Sequence, residues 1–87
     1  MPVRTRLLNI GAELKRLAHW LELDDRETAK QCIARTCELL DVSIEVARSN
    51  AQRRELGRAR EVVQELLNSP DPRTEIALLI RTLVGEV

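Results

Sequence analysis

The 87-residue sequence has few of the residues from which small active sites and cross-linked frameworks are built. It contains one aromatic residue, two cysteines, one histidine and three glycines. Two cysteines and one histidine are too few for a disulfide framework or a four-ligand zinc site. Three glycines leave little material for an active-site loop, and no phosphate-loop, His-Glu-x-x-His or Cys-x-x-Cys motif is present. We therefore expect neither a cofactor nor a metal.

Long apolar runs are also missing. No stretch of about 18 apolar residues could span a bilayer, and no apolar segment follows a basic start as in a signal peptide. Net charge is zero, so no excess of one sign marks the whole chain for an oppositely charged partner. These absences predict a soluble, cytoplasmic protein with no membrane partner, and the length fits one domain over residues 1–87.

Apolar residues recur at alternating steps of three and four, the spacing of amphipathic helices. Stripes of this kind predict helices over about residues 3–22, 25–48 and 72–84, and a third stripe, from Leu56 to Leu67, predicts a further helix that ends by residue 68. Short turns between helices favour antiparallel neighbours, so we expect an all-α bundle of about four helices. The stripes are Leu7, Ile10, Leu14, Leu17, Leu21; Ile33, Cys37, Leu40, Ile44, Ala47; Leu56, Ala59, Val63, Leu66; and Ile76, Leu79, Ile80, Leu83, Val87.

Capping patterns predict where these helices begin. Asp24 with Glu27 three residues later has the form of a capping box, which places the start of the second helix near residue 25. Ser49 with Gln52 is a weaker pattern of the same kind and predicts a break there. A break at Gly57 instead, or no break as far as residue 68, is the alternative.

The fourth helix has the clearest predicted limits. The segment 68–72 reads Asn-Ser-Pro-Asp-Pro, and proline ends one helix but suits the first position of the next behind an Asp cap. Gly85 is the candidate C-cap, because glycine adopts the left-handed conformation that commonly follows a helix.

Charge alternates in sign along the chain. Net charge is +3 over residues 1–20, −4 over 21–46, +4 over 47–60 and −3 over 61–87. Antiparallel neighbours of opposite sign favour one register and orientation, within one chain or between two chains of a dimer.

Small size and the shortage of aromatic residues favour self-association, since domains of this length usually need an additional source of stability. A homo-oligomer, with a dimer favoured, is the expected state. Trp20 flanks the first apolar stripe and either borders a partner helix or covers the end of its own bundle. The candidate interface residues are Trp20, Leu8, Leu14, Leu21 and Ile80.

Five arginines cluster within thirteen residues and are opposed by one carboxylate, that of Glu55. Guanidinium groups bind phosphate in a bidentate manner, so this region is the candidate contact for nucleic acid or another polyanion. The favoured interpretation is instead a surface that pairs with acidic residues of the preceding helix. The basic cluster is Arg48, Arg53, Arg54, Arg58 and Arg60, and the acidic row is Glu38, Asp41 and Glu45.

Other reactive side chains lack the neighbours that catalysis requires. Cys32 and Cys37 lie about 140° apart around a helix, so they cannot bridge each other, and we expect buried free thiols. His19 has no Ser, Cys or Asp neighbour that completes a triad pattern, and we expect it to be solvated. The sequence therefore favours a non-enzymatic helical interaction or oligomerisation module, adaptor or regulatory, with nucleic-acid binding as the alternative.

Overall fold

The computed structural model describes residues 3–85, and these residues form a bundle of four helices. Helix α1 spans Val3–Glu22, α2 Arg26–Glu45, α3 Asn50–Gln64 and α4 Pro72–Val84, with a 3-10 turn at Leu66–Asn68. The predicted all-α bundle of four helices is confirmed. Val87, placed on the fourth stripe, lies outside the described residues.

Helices α1 and α4, the first and last of the bundle, run antiparallel to each other. Arg73 near the start of α4 forms an ion pair of 3.2 Å with Glu22 at the end of α1. Near the opposite end, a Cβ on Gly11 would lie 2.8 Å from Cγ2 of Val84. Helix α1 packs along both α2 and α4, and α2 packs along α3, whereas α3 and α4 have the smallest contact of these neighbouring pairs. The seam between α3 and α4 is therefore the most open side of the bundle.

The core is almost entirely aliphatic, as the stripes predict. Hydrophobic burial of these side chains is the main source of stability. None of the helices within residues 3–85 is long and apolar enough to cross a membrane. The largest side chains with no exposed surface or nearly none are Ile10, Leu14, Leu17, Thr36, Leu40, Val63, Leu66 and Ile76.

The cap of α2 differs from the prediction by one residue. Asp24 adopts a φ of 58°, a left-handed conformation that turns the chain between the two helices. Asp25 is the N-cap, and its carboxylate accepts a 3.1 Å bond from the Thr28 backbone N–H and a 2.8 Å bond from the Thr28 hydroxyl. The predicted box with Glu27 is therefore wrong, because the turn occupies Asp24.

The break between α2 and α3 lies where the Ser49 pattern predicts it. The Ser49 hydroxyl accepts a 3.1 Å bond from the backbone N–H of Gln52, whose side-chain oxygen accepts one of 3.2 Å from the N–H of Arg48. Gly57 lies inside α3 and does not interrupt the helix. Helix α2 ends at residue 45 and α3 at residue 64, both earlier than predicted, because Val46 and Glu65 leave helical geometry.

Candidate binding surface on the third and fourth helices

Two of the five clustered arginines stabilise the fold of their own chain. Arg60 on α3 donates from Nε and Nη2 to the two carboxylate oxygens of Asp41 on α2, at 2.6 and 3.4 Å. These hydrogen bonds, and then the charge of Asp41, raise the pKa of Arg60. Arg53 donates to the carbonyl of Ala47 and the side chain of Asn50, both at 3.1 Å. Neither guanidinium is therefore fully available to an external anion.

The expected pairing of the basic cluster with the acidic row is limited to Arg60 and Asp41. Within residues 3–85, the guanidinium groups of Arg48, Arg54 and Arg58 form no ion pair, nor do Glu38 and Glu45. Arg54 and Arg58 lie on the side of α3 that faces away from the buried side chains, which are Leu56, Ala59 and Val63. At about 100° per residue these two cations point away from the bundle, so they cannot reach α2.

Three charged residues of α3, Arg54, Arg58 and Glu61, and its C-cap residue Glu65 form one stripe along the outer side of the helix, here called the α3 charge stripe. Their spacing of four, three and four residues aligns them on one helical face. All four are exposed or half-exposed, and only Glu65 has a hydrogen-bonded partner within the described chain, the Asn68 side chain at 3.1 Å. Two cations are therefore followed by two carboxylates on an open surface.

The seam between α3 and α4 forms an apolar depression, here called the α3–α4 groove. A pocket of about 180 Å³ adjoins a second of about 380 Å³, and both contain Val62 and Glu75. Leu78 is 54% exposed at this seam, although it is a large apolar side chain. The two pockets are lined by Glu61, Val62, Glu65, Asn68, Ser69, Pro70, Glu75, Leu78, Leu79 and Thr82.

The groove has one sign of charge. Three carboxylates, those of Glu61, Glu65 and Glu75, lie among its lining residues, and that lining includes no Lys, Arg or His. Glu61 and Glu65 belong to both the groove and the α3 charge stripe. An apolar floor with an acidic border suits a ligand that is apolar on one side and positively charged beside it.

The residues predicted for an interface do not share one surface. Leu14 has no exposed surface, because it packs within the core of its own chain. Leu21, Ile80 and Trp20 are half-buried against that core, and the Trp20 ring makes a T-shaped contact with exposed His19 at 5.2 Å between centroids. Leu8 is 46% exposed beside a smaller pocket at the other end of α1.

A buried carboxylate lies between α1 and α2. Glu13 is 7% exposed, and its Oε1 pairs with Arg16 at 2.6 Å and with Arg35 at 3.7 Å. Its Oε2 has no hydrogen-bond partner in the described structure. Glu13 is not among the residues predicted from the sequence, although its position three residues after Ile10 and four before Leu17 places it beside the core stripe.

Both thiols are buried and free, as predicted. Burial, followed by the negative charge of Glu13, raises the pKa of Cys32. Burial also raises the pKa of Cys37, with a smaller opposing effect from Arg60. A raised pKa lowers the fraction of thiolate, which is the nucleophilic form.

Sequence reasoning also missed the groove. Leu78 does not belong to the stripe of Ile76, Leu79 and Leu83, and an apolar residue on the polar side of an amphipathic helix was the available signal. The open contact between α3 and α4 could not be predicted from neighbouring residues in the sequence, because it depends on how the helices pack.

Comparison with protein-family models, with curated proteins and with solved structures finds no match. Across residues 3–85 no group of three or more His, Cys, Asp or Glu side chains is arranged to hold a metal ion. The α3–α4 groove and the α3 charge stripe place exposed apolar and charged side chains next to each other.

Proposed function

We propose that this protein is a non-enzymatic interaction module, an adaptor or regulator, that binds an amphipathic helix in the α3–α4 groove. The observation that carries the proposal is the exposed side chain of Leu78, which borders Val62 in a groove with three carboxylates. Leu78 lies next to Val62 and Leu79 in one pocket, so it belongs to a continuous apolar surface and is not an apolar residue exposed singly.

The chemistry of the groove defines the partner. An apolar floor between two helices favours a third helix that inserts residues at spacings of three and four. The carboxylates of Glu61, Glu65 and Glu75 favour lysine or arginine beside those residues, because complementary charges steer the encounter and fix the orientation. The expected partner is therefore a basic amphipathic helix.

Titration calorimetry with a synthetic probe tests the proposal. The probe is a helical peptide with leucine at spacings of three and four and lysine on both sides of that stripe. We expect Leu78→Asp to weaken binding about tenfold or more, since it places a charge at the centre of the contact. Leu8→Asp is the matched control, because Leu8 is similarly exposed, at 46% against 54%, on a different surface.

Two results would contradict the proposal. One is equal weakening by Leu78→Asp and Leu8→Asp, which would show that the peptide associates without preference for the groove. The other is equal affinity for a peptide in which glutamate replaces every lysine, because the carboxylates would then contribute nothing. Circular dichroism of each variant checks that the bundle remains folded.

Polyanion binding by α3 is the second candidate function. It is favoured by the guanidinium groups of Arg54 and Arg58, which are free of ion pairs. Glu61 and Glu65 continue the same face and would repel a phosphate backbone, so we rank this function second. Salt-dependent binding of duplex DNA that Arg54→Glu abolishes would reverse the order.

A further inference from the structure

We propose that α3 of a second copy of this chain lies antiparallel to α3 of the first across a two-fold axis, beside the groove. This inference goes beyond the proposed function, because it describes a contact of one α3 with another and not the helix bound in the groove. It concerns the α3 charge stripe, in which two positive charges are followed by two negative ones. When a second α3 runs in the opposite direction, its charges are complementary to those of the first.

The register follows from the spacing of the four charged residues. Arg54 and Arg58 are four residues apart, as are Glu61 and Glu65, so reversal of the helix places each cation opposite a carboxylate. Arg54 then faces the partner subunit's Glu65, and Arg58 faces the partner subunit's Glu61. The two-fold axis repeats both pairs, which gives four ion pairs from one self-complementary face.

Within a single chain this arrangement of charges is unfavourable. Like charges four residues apart repel, and the stripe contains two such pairs, the arginines and the glutamates, against one pair of opposite charges three residues apart, Arg58 and Glu61. The arginines also precede the glutamates, whereas the helix macrodipole favours acidic residues near the N-terminus and basic residues near the C-terminus. α3 has no acidic residue in its first turn and no basic residue in its last.

An antiparallel partner removes both disadvantages. Each like-charged pair gains two opposite charges across the interface, and the two helix dipoles oppose each other. Val62 and Leu78, on the α4 side of the stripe, supply apolar contact next to the ion pairs. Because the contact is largely polar and exposed, we expect a weak dimer that dissociates as salt concentration rises.

Three forms of the full-length chain test the pairing by sedimentation equilibrium. The first variant carries Arg54→Glu with Arg58→Glu, the second carries Glu61→Arg with Glu65→Arg, and the third carries all four changes. Each of the first two places like charges in all four proposed contacts, so we expect the dissociation constant to rise about tenfold or more. The third restores every pair with reversed polarity and should dimerise as the natural chain does.

Each double variant adds one like-charged neighbour pair on α3, between positions 58 and 61, but it also places the sign that the macrodipole favours at one end of the helix. The first adds acidic residues toward the N-terminal half of α3 and the second adds basic residues toward its C-terminal end, which are the signs that the macrodipole favours. Circular dichroism should therefore show a helical content equal to that of the natural chain. Loss of dimer at unchanged helicity would then arise from the contact itself.

Three outcomes would overturn the inference. The first is a natural chain that stays monomeric up to about 1 mM, well above the range of specific association. The second is a double variant that dimerises as tightly as the natural chain. The third is a variant with all four changes that remains monomeric. A monomeric chain that still binds the lysine-rich peptide through Leu78 would overturn this inference alone. Loss of peptide binding as well would overturn the proposed function too.

Discussion

Helices α1 and α3 differ in how far their side chains are buried or paired within their own chain. Helix α1 places Ile10, Leu14 and Leu17 in the core with no exposed surface, and its buried acid Glu13 pairs with two arginines. On the outer side of α3, two arginines and Glu61 form no ion pair within residues 3–85. Helix α1 thus contributes its apolar face and a paired acid to the core of the bundle, whereas the outer side of α3 leaves most of its charged side chains unpaired within residues 3–85.

Truncation of a core residue of α1 should have the largest effect on stability. Leu14→Ala removes a fully buried side chain and leaves a cavity, so we expect the free energy of unfolding to fall by about 2–5 kcal/mol. Leu8→Ala, on the exposed side of the same helix, should change it by about 0.5 kcal/mol or less. Urea denaturation monitored by circular dichroism measures both, and equal effects would refute the distinction between the two faces.

The two thiols report separately on the packing of α1 and α3. Cys32 is influenced by Glu13 of α1 and Cys37 by Arg60 of α3. Because Cys37 is the more exposed thiol, at 9% against 3% for Cys32, we expect Cys37 to react faster, by about tenfold, with a disulfide reagent. Single-thiol variants Cys32→Ser and Cys37→Ser measure each rate. Faster reaction of Cys32 would contradict the comparison.

The glycines of the two helices provide a matched test of packing. A Cβ on Gly57 of α3 would meet nothing within 4 Å, whereas one on Gly11 of α1 would lie 2.8 Å from Val84. Gly57→Ala should therefore stabilise the protein by about 1 kcal/mol through helix propensity. Gly11→Ala should give no such gain, since Val84 or the helices must shift. A gain of equal size at both positions in thermal denaturation would show that α1 is not the more closely packed helix.

A fall in pH should destabilise the first turns of α2 and α4 more than the first turn of α3. Hydrogen bonds from Thr28 and Thr74 lower the pKa of Asp25 and Asp71, which cap α2 and α4. A lowered pKa in the folded state contributes stability above the ordinary value of 3.8, and this contribution is lost as pH falls through the folded value. Ser49 caps α3 and does not titrate in this range.

Amide hydrogen exchange measured across that pH range should therefore show an earlier loss of protection in the first turns of α2 and α4 than in the first turn of α3. The intrinsic exchange rate at each pH provides the correction. Simultaneous loss at all three helix starts would indicate global unfolding instead of local loss of caps.

Most of the fold could be predicted from local signals, because the apolar spacing of a helix and the residue that caps it lie close together in the sequence. The Ser49 cap and the α4 boundaries needed no tertiary information. The choice of Asp25 over Asp24 did, since both carry the same side chain and the positive φ of Asp24 decides between them. The Arg60–Asp41 pair, 19 residues apart, and the open seam beside Leu78 depend on helix packing and could not be located from spacing alone.

The most direct test of the central claim is a mixture of the two double variants, Arg54→Glu with Arg58→Glu and Glu61→Arg with Glu65→Arg. In the antiparallel register a mixed pair has opposite charges in all four contacts, whereas each variant alone has like charges in all four. Sedimentation equilibrium should show monomers for the separate variants and a dimer for the equimolar mixture. A mixture that remains monomeric would contradict the account.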